Sequence, residues 1–502
     1  MEITGVTYSV SHYDHYNQHG DLNYFEEVID KMILEGISGM NETFRSVISN
    51  LPKDKKRMTI LSLLDKDLNL FKSIKALIDK DINKMDHIKD VILMLREYVK
   101  VGEVEKKKFG EVMTPLSLVK EMLATLPDDV WSNPNLKWLD PANGTGPYPV
   151  MVIYKLMVGL KEWEPDDEKR YKHIVENMIY ISELQPKNMF LYMCAVDPFD
   201  TYKLNVYTGS FLEKEFDYHM KNIWDIEKFD IIIGNPPYQE QVGPKKTKSI
   251  WNLFVKKSIS LLNDYGFITM VHPSGWRSLD GDFKDVQILI KRNLLYLEMH
   301  DDKDGHDMFG ATTSYDWYCY SKITVKETKI KDQKGKIFNI DLSSWEFIPA
   351  GEFDTFSSLI SNGDLEKVNV IYSRSAYGTD KSHMSRDQVN GFIYPCVYTI
   401  VKDTTINLFW SNTNNNGHFG IPKVVWSNGM ASPPTIDLTG QYGLTQFSYA
   451  IVDSVDNLPK IKQVMDSDKF IQTMKLCYMS SGNRFDRKVL STFRKDFWKY
   501  FL

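Results

Sequence analysis

The chain has 502 residues, of which 42% are hydrophobic and 25% are charged, and its formal net charge is −6 at pH 7. This composition excludes a disordered chain and a protein that is basic over its whole surface, although a local basic face stays open. No run of about 18 apolar residues is present, so no membrane span is expected. The four cysteines are scattered and the N-terminus lacks a signal-peptide layout, which together predict a cytoplasmic protein.

The first region, residues 1–105, is predicted to be helical. Apolar residues recur at spacings of three and four over 61–78 and 85–99, which is the pattern of an amphipathic helix. Histidines near the N-terminus also have helical spacing, but neither a nearby cysteine nor an HExxH motif accompanies them. They are expected to be exposed, and no metal site is predicted.

Short apolar runs alternate with amphipathic stretches through the second region, residues 106–325. This alternation predicts a Rossmann-like α/β domain with a doubly wound, mostly parallel sheet. In such sheets ligands bind beyond the carboxyl ends of the strands, so the residues after each run are functional candidates. The runs with strand character are 136–140, 178–183, 204–209, 229–234, 266–271, 294–299 and 315–323.

The last region, residues 326–502, is rich in turn-forming and aromatic residues. It predicts an α+β domain, and the segment 483–501 predicts a closing amphipathic helix with a basic face. The basic side chains of that face are Arg484, Arg487, Lys488, Arg494 and Lys495.

A glycine-containing loop follows the first predicted strand. Its sequence over residues 140–146 is DPANGTG, and Gly144 and Gly146 would let the backbone approach a ligand closely. Glu183 ends the second strand, where an acid is well placed to accept hydrogen bonds from ribose hydroxyls. A tight turn with an exposed acid is the alternative. Because short glycine motifs recur widely, the loop alone leaves both interpretations open.

The fourth predicted strand runs directly into Asn235, Pro236, Pro237 and Tyr238. The prolines fix their own φ angles and push the preceding residue toward extended geometry, which aims the Asn235 side chain outward from the strand end. The side-chain oxygen of Asn235 and the carbonyl of Pro236 then form two acceptors suited to both hydrogens of a planar NH2 group. Tyr238 offers a flat face for stacking on the ring that carries the amine. A rigid exposed turn is the alternative.

These residues resemble the S-adenosylmethionine-dependent adenine-N6 DNA methyltransferases of restriction–modification type, in the arrangement with the target-recognition region at the C-terminus. The resemblance covers about residues 109–323, in the family's order. It implies a class I methyltransferase domain that binds S-adenosylmethionine, with residues 326–502 as a target-recognition domain for double-stranded DNA. The motif from Asn235 to Tyr238 matches the catalytic motif of the family residue for residue.

The resemblance also implies which residues contact the cofactor. The segment from residue 109 to Thr114 and Pro115 resembles the one that closes over the methionine part of the cofactor. After the third strand the family usually has an Asp where this chain has Ser210, whose hydroxyl can still accept a hydrogen bond. The implied cofactor contacts are Thr114, Pro115, Asp140, Pro141, Asn143, Gly144, Gly146, Glu183, Ser210, Phe211 and Asn235.

The implied reaction is methyl transfer to the exocyclic N6 of an adenine in a specific DNA sequence. The adenine is out of reach inside a duplex, so it must be flipped out and stacked on Tyr238. Phe309 resembles the residue that gives the target-base pocket a second aromatic wall. Lys245, Lys246 and Lys248 belong to a flexible basic loop that would grip phosphates, with a solvated lysine loop as the alternative.

Several alternatives share the catalytic motif. One is a modification subunit that needs a separate specificity chain, and others are methyltransferases that act on an RNA adenine or on a protein glutamine. A catalytically inactive DNA-binding protein is a fourth alternative. The resemblance implies an enzyme of prokaryotic or viral type, with a cognate restriction endonuclease as a candidate partner. The oligomeric state and the target sequence are not predicted.

Overall fold

A computed structural model describes residues 50–52, 55–56, 114–197, 200–243, 246–279, 281–310, 312–361, 363, 365–374, 376–427, 433–477 and 485–502. The helices predicted within residues 1–105, the segment 109–113, Lys245 and Arg484 lie outside the described residues. The chain forms two compact units. The first comprises Met1–His272, Asn293–Leu297 and Asp302–Val325, and the second comprises Pro273–Arg292, Glu298–Asp301 and Lys326–Leu502.

All seven strands predicted between residues 136 and 323 are present. Most of their residues are apolar and buried on both faces, as is usual for strands covered by helices on either side. The strands in this part of the chain are β1 (Trp138–Asp140), β2 (Ile179–Glu183), β3 (Asn205–Thr208), β4 (Phe229–Gly234), β5 (Gln239–Gly243), β6 (Lys246–Ser249), β7 (Leu262–Pro273), β8 (Leu294–His300) and β9 (Tyr315–Ser321).

The central sheet of the first unit has the strand order β8-β9-β7-β4-β1-β2-β3. Strand β1 pairs in parallel with both β2 and β4, β2 pairs in parallel with β3, and β4 with β7. The carboxyl ends of β1 to β4 therefore meet at one edge of the sheet. The predicted α/β fold with a mostly parallel sheet is confirmed.

Helices connect these strands and cover the sheet. Helix α2 begins at Pro147, directly after Gly146, which has a φ of 94°. Proline suits the first turn of a helix because its missing N–H would have had no partner there. The helices from residue 114 to 310 are α1 (Leu116–Leu123), α2 (Pro147–Gly159), α3 (Asp167–Asn177), α4 (Pro186–Val196), α5 (Lys214–Asn222), α6 (Trp251–Leu261), α7 (Lys284–Ile290) and α8 (Asp302–Phe309).

The second unit mixes short strands and helices, as predicted for an α+β domain. One of its sheets has the order β12-β19-β16-β17 and another the order β13-β15-β14-β18. The strands are β10 (Thr328–Lys331), β11 (Ile337–Ile340), β12 (Asn369–Tyr372), β13 (Met384–Ser385), β14 (Tyr394–Ile400), β15 (Ile406–Ser411), β16 (Lys423–Ser427), β17 (Thr435–Asp437), β18 (Gly443–Leu444) and β19 (Ser448–Val452). The helices that follow residue 350 are α9 (Phe353–Leu359), α10 (Leu458–Asp466), α11 (Asp468–Lys475) and α12 (Arg487–Leu490).

A buried ion pair lies inside this second unit. The Nζ atom of Lys423 lies 2.9 Å from a carboxylate oxygen of Asp437, and the two side chains are 0% and 1% exposed. Nζ also donates to the carbonyls of His418 and Ile421, while Asp437 accepts from two backbone N–H groups. The pair is thus fully hydrogen-bonded, which is the condition under which a buried ion pair is tolerated.

The single helix predicted over residues 483–501 is wrong. In the described part of that segment, α12 ends at Leu490 and a 3-10 turn covers Phe497–Tyr500. Between them Phe493 and Arg494 are extended and pair with Ile360 and Lys367. The apolar residues still face the core, but these backbone hydrogen bonds take the place of the helical ones.

Candidate active site

A cavity of about 340 Å³ opens at the carboxyl ends of β1 to β4 in the first unit. This volume lies within the usual range for sites that bind small molecules. The predicted site residues that line it are Pro141, Gly144, Glu183, Ser210, Phe211, Asn235, Pro236, Pro237 and Tyr238. Residues that were not singled out from the sequence also line it, namely Ala142, Leu184, Gln185, Asn188, Gly209, Leu212, Glu240, Gln241, Ile250 and Phe254.

The loop after β1 is held by its own backbone and by β2. The N–H of Asn143 donates to the carbonyl of Ser182, and the N–H of Gly146 donates to the carbonyl of Asn143. A Cβ atom on Gly146 would lie 2.6 Å from the ring of Tyr192, so this position combines a positive φ with close packing. At Gly144, by contrast, a Cβ atom would meet no atom within 4 Å. The loop therefore leaves open space above Gly144.

Glu183 ties the loop after β1 to the end of β2. Its Oε2 atom accepts a hydrogen bond of 2.7 Å from the N–H of Gly144, and its Oε1 atom accepts one of 2.7 Å from the N–H of Gln185. Such charge-assisted bonds are short and strong. Glu183 therefore anchors the loop after β1 to the end of β2.

Asp140 lies beneath the loop and is 2% exposed. Its Oδ1 atom accepts from the N–H of Ala142 at 3.0 Å, while its buried Oδ2 atom has no partner among the described residues. Burial raises the pKa of Asp140 to about 7, and the hydrogen bond from Ala142 partly offsets that rise. The Oδ1 atom of Asn143 is likewise buried without a described partner. Both acceptors suit the donor groups of a cationic ligand.

Asn235 lies at the end of β4, and its side-chain amide is hydrogen-bonded to Thr114. Its Nδ2 atom donates to Oγ1 of Thr114 at 3.1 Å, and its Oδ1 atom has no hydrogen-bond partner in the described part of the chain. The free oxygen belongs to a residue that lines the cavity. Thr114 itself does not line the cavity; it is 4% exposed and supports Asn235.

Tyr238 lines the cavity, and its hydroxyl group is buried. That hydroxyl has no partner among the residues the structure describes. Burial raises the pKa of Tyr238 far above its ordinary value, with a smaller contribution from Tyr315. The phenol therefore stays neutral, and its ring is available as an apolar surface.

Ser210 and Phe211 form the wall at the end of β3. The hydroxyl of Ser210 accepts from the N–H of Leu212 at 3.2 Å, which fixes the turn after the strand. The ring of Phe211 stacks on Phe254 with centroids 5.5 Å apart, and Lys257 lies 5.1 Å from its centroid. This aromatic pair gives the cavity an apolar side.

The remaining predicted site residues lie outside the cavity lining. Phe309 is 8% exposed and packs edge-on against Tyr315 at 4.9 Å, so its assignment to the target-base pocket stays a prediction. Lys246 and Lys248 are exposed. They lie in β6, which pairs with β5 as an antiparallel hairpin where a flexible loop was expected. Cross-strand hydrogen bonds order this segment, and its lysine-rich composition gave no indication of that pairing.

The predicted cofactor residues that do not line the cavity are Thr114, Pro115, Asp140, Asn143 and Gly146. Pro115 precedes α1 as its N-cap residue, and Gly146 occupies the same position before α2. Within the described ranges, no histidine, cysteine, aspartate or glutamate side chains form a group of three or more suited to a metal ion. No helix in those ranges is long and apolar enough to cross a membrane.

Comparison with known proteins finds similarity to methylases, including methylases of restriction–modification systems. Residues 156–309 match the family model of the Eco57I restriction-modification methylase. A Mycoplasma pneumoniae protein described as an uncharacterized adenine-specific methylase is 28% identical, over 46% of this chain and 73% of that protein. The type II restriction enzyme and methyltransferase RM.Eco57I of Escherichia coli is 25% identical, over 44% of this chain and only 27% of that protein.

Solved structures are similar at a lower level. A putative class I S-adenosylmethionine-dependent methyltransferase from Listeria monocytogenes matches with a TM-score of 0.37 and 15% identity, over 61% of this chain and 90% of that one. The resemblance to adenine methyltransferases of restriction–modification type is confirmed.

Proposed function

We propose that this chain transfers a methyl group from S-adenosylmethionine to the exocyclic N6 of an adenine that is flipped out of a specific double-stranded DNA sequence. The observation that carries the proposal is the arrangement at the end of β4. Asn235 and Tyr238 line one cavity, and the buried amide oxygen of Asn235 has no hydrogen-bond partner among the described residues. An aromatic ring that bears an NH2 group satisfies both features.

The residues that line the cavity, together with the buried Asp140 and Asn143 beside it in the chain, divide between cofactor and base. Asp140, Asn143 and Glu183 offer oxygen acceptors at the ends of β1 and β2, and Phe211 offers an apolar surface at the end of β3. These groups suit the ammonium, the ribose hydroxyls and the adenine of S-adenosylmethionine. When bound, the cofactor supplies a methyl group on a positively charged sulfur. No metal is required by this chemistry.

The chain's contribution to the reaction is positioning. Tyr238 stacks on the flipped base, and such stacking typically contributes ~1–3 kcal/mol per base toward the cost of flipping. Asn235 Oδ1 and the Pro236 carbonyl accept the two hydrogens of N6, which draws the nitrogen lone pair out of conjugation and toward the methyl group. Both acceptors are neutral amide oxygens that hold a proton without removing it, so the released proton passes to solvent. The rate gain then comes from orientation and preorganised dipoles.

The second unit is proposed as the target-recognition region, with the exposed Lys246 and Lys248 of the β5–β6 hairpin as phosphate contacts near the base pocket. A modification subunit that borrows specificity from another chain is the nearest alternative, and the residues after Lys326 favour self-contained recognition. A cognate restriction endonuclease is the partner that such a reaction implies. The reaction takes place where cofactor and DNA occur together, which in a prokaryotic cell is the cytoplasm.

The test is methylation of unmethylated genomic DNA by the purified chain with S-adenosylmethionine, mapped by single-molecule sequencing. N6-methyladenine in one short sequence context is the expected result. Asn235→Ala should abolish it, while Asn339→Ala, an identical change at an exposed position of β11, should not. Cofactor binding without any methylated DNA would overturn the proposal in favour of RNA, a protein glutamine or a required specificity chain.

A further inference from the structure

A loop rich in asparagine follows strand β15 in the second unit. Residues 411–417 read SNTNNNG and include no charged side chain. The four asparagines are exposed, and none of their side-chain amides is hydrogen-bonded within the described part of the chain. Each amide therefore offers one acceptor oxygen and two donor hydrogens to a partner. Residues 412–416 are called the asparagine loop below, and its asparagines are Asn412, Asn414, Asn415 and Asn416.

The backbone of the asparagine loop is held by the side chain of Tyr377, which is 1% exposed. The hydroxyl of Tyr377 donates to the carbonyl of Thr413 at 3.1 Å and accepts from the N–H of Asn416 at 3.1 Å. One buried phenol thus ties together the two ends of a short turn. Asn414 and Asn415 are the two residues between those ends, and they form the tip of the loop.

Both flanks of the loop are also bonded to other segments of the second unit. The N–H of Asn412 donates to the carbonyl of His383 at 3.0 Å, and the N–H of Leu444 donates to the carbonyl of Gly417 at 2.8 Å. Gly417 also packs on Tyr377, because a Cβ atom at this glycine would lie 2.9 Å from the ring. The loop therefore has little freedom to change its backbone path.

The residue after Gly417 is held in an unfavourable backbone conformation. His418 has a φ of 64°, in the left-handed region that favours glycine. Its carbonyl accepts from the Nζ atom of Lys423 at 3.1 Å, and its Nε2 atom is hydrogen-bonded to the carbonyl of Tyr372 at 3.1 Å. Such strain persists where the surrounding contacts over-determine the backbone, and it is frequent in binding sites. The shape of the loop is thus set before any partner binds.

A preorganised group of uncharged amides suits the edges of bases better than it suits phosphates. In the major groove an asparagine amide accepts from N6 and donates to N7 of an adenine, and this pair of contacts distinguishes adenine from the other bases. Attraction to phosphates comes mainly from lysine and arginine, which residues 411–417 lack. Side chains on a fixed backbone also lose less conformational entropy on binding.

We propose that Asn414 and Asn415 are specificity-determining residues that read an adenine other than the target base, through N6 and N7, in the major groove of double-stranded DNA. Tyr377 is the positioning residue that fixes the backbone on either side of them. The identification of DNA as the partner rests on the proposed function, whereas the preorganisation of the loop does not.

The test is selection of duplexes from a randomised DNA library by the purified chain, followed by sequencing of the bound DNA. This measurement reports sequence preference without requiring methyl transfer. Asn414→Ala combined with Asn415→Ala should lower the preference for adenine at one position of the selected motif by roughly 5- to 150-fold, the discrimination of one bidentate contact. Asn339→Ala combined with Asn369→Ala, at exposed positions of β11 and β12, is the matched control and should leave the motif unchanged.

A second pair of changes should redirect the preference. Asn414→Asp combined with Asn415→Asp removes the N–H groups that adenine N7 requires, and the new carboxylates can accept from cytosine N4. The expected result is a change from adenine to cytosine at the same position of the motif. Loss of a structural role would not produce a new preference, so this result separates base reading from damage to the loop.

Tyr377→Phe tests the positioning role, since it keeps the ring and removes the hydroxyl. The preference at that same position should weaken, while affinity for duplexes without the motif and the salt dependence of binding should not change, because the loop carries no charge. Tyr265→Phe, at a tyrosine that is 81% exposed, is the control for the same chemical change.

Three results would overturn the inference. The first is an unchanged motif in both double variants of the tip, and the second is an equal loss of affinity for every duplex. The third is a wild-type chain that selects no sequence, because specificity would then lie elsewhere. A chain that selects a motif but methylates no DNA refutes the proposed function, and the tip variants still decide whether the loop reads that motif.

Discussion

Asparagine in place of Asp140 is expected to change how stability depends on pH, in a direction set by burial. Asp140 is 2% exposed, and burial raises its pKa to about 7 from an ordinary value of 3.8. Between these two values the folded chain holds a proton that the unfolded chain has released. The free energy of unfolding therefore falls as the pH rises from about 4 to about 7, and stays level above that range.

The size of the effect follows from the width of that range. Roughly three pH units, at 1.36 kcal/mol each, amount to about 4 kcal/mol between the two ends. Asp140→Asn does not titrate, and its side-chain oxygen can still accept the 3.0 Å bond from the N–H of Ala142. The variant should match wild type near pH 4 and exceed it by about 4 kcal/mol at pH 8.

Urea unfolding followed by tryptophan fluorescence, from pH 4 to pH 8.5, measures this difference. Subtracting the two proteins removes the contribution of every other titrating group. Asp354→Asn, which removes a carboxyl group that is 89% exposed, serves as the control for the same change at the surface. A constant difference for Asp140→Asn, or a wild type that gains relative stability as the pH rises, would refute the reasoning.

Three other changes have expected outcomes. Glu183→Gln replaces one of the two carboxylate oxygens that accept backbone hydrogen bonds. Thermal unfolding should show a loss of about 1.5–3 kcal/mol in the free energy of unfolding and a smaller stabilisation by S-adenosylmethionine. An unchanged midpoint temperature of unfolding contradicts this prediction. Lys423→Met leaves Asp437 buried without its cation, so denaturant unfolding should show a loss of about 3–5 kcal/mol in the free energy of unfolding. A loss below about 1 kcal/mol would mean that water reaches the carboxylate of Asp437. Lys246→Gln combined with Lys248→Gln should reduce the salt slope of DNA binding by about 2, and an unchanged slope would place both lysines away from phosphates.

The sequence predicted the α/β fold of the first unit well because its signals are local. Each strand is a short apolar run, and the functional residues directly follow those runs, so periodicity and strand ends suffice to find Asp140, Glu183 and Asn235. The parallel arrangement then brings these ends to one edge of the sheet. Local pattern and tertiary structure agree there.

Other features depend on contacts that no local pattern records. Thr114 and Asn235 are 121 positions apart, and their hydrogen bond is visible only in the folded chain. The basic segment around Lys246 becomes a hairpin through pairing with β5. The apolar spacing of the C-terminal segment suggested a helix, but Phe493 instead pairs with Ile360. In each of these cases the local structure depends on a backbone or side chain that is distant in the sequence.

The pair of acceptors at the end of β4 also bears on what happens after the proposed reaction. In the proposed substrate complex, the Asn235 oxygen and the Pro236 carbonyl each hold one hydrogen of the amine. Once a methyl group has replaced one hydrogen, a single N–H remains and one acceptor loses its partner. A buried acceptor without a partner costs about 1–3 kcal/mol, so the product is held less tightly than the substrate. Release after one methylation, and rejection of an adenine that already carries a methyl group, follow from the same two oxygens.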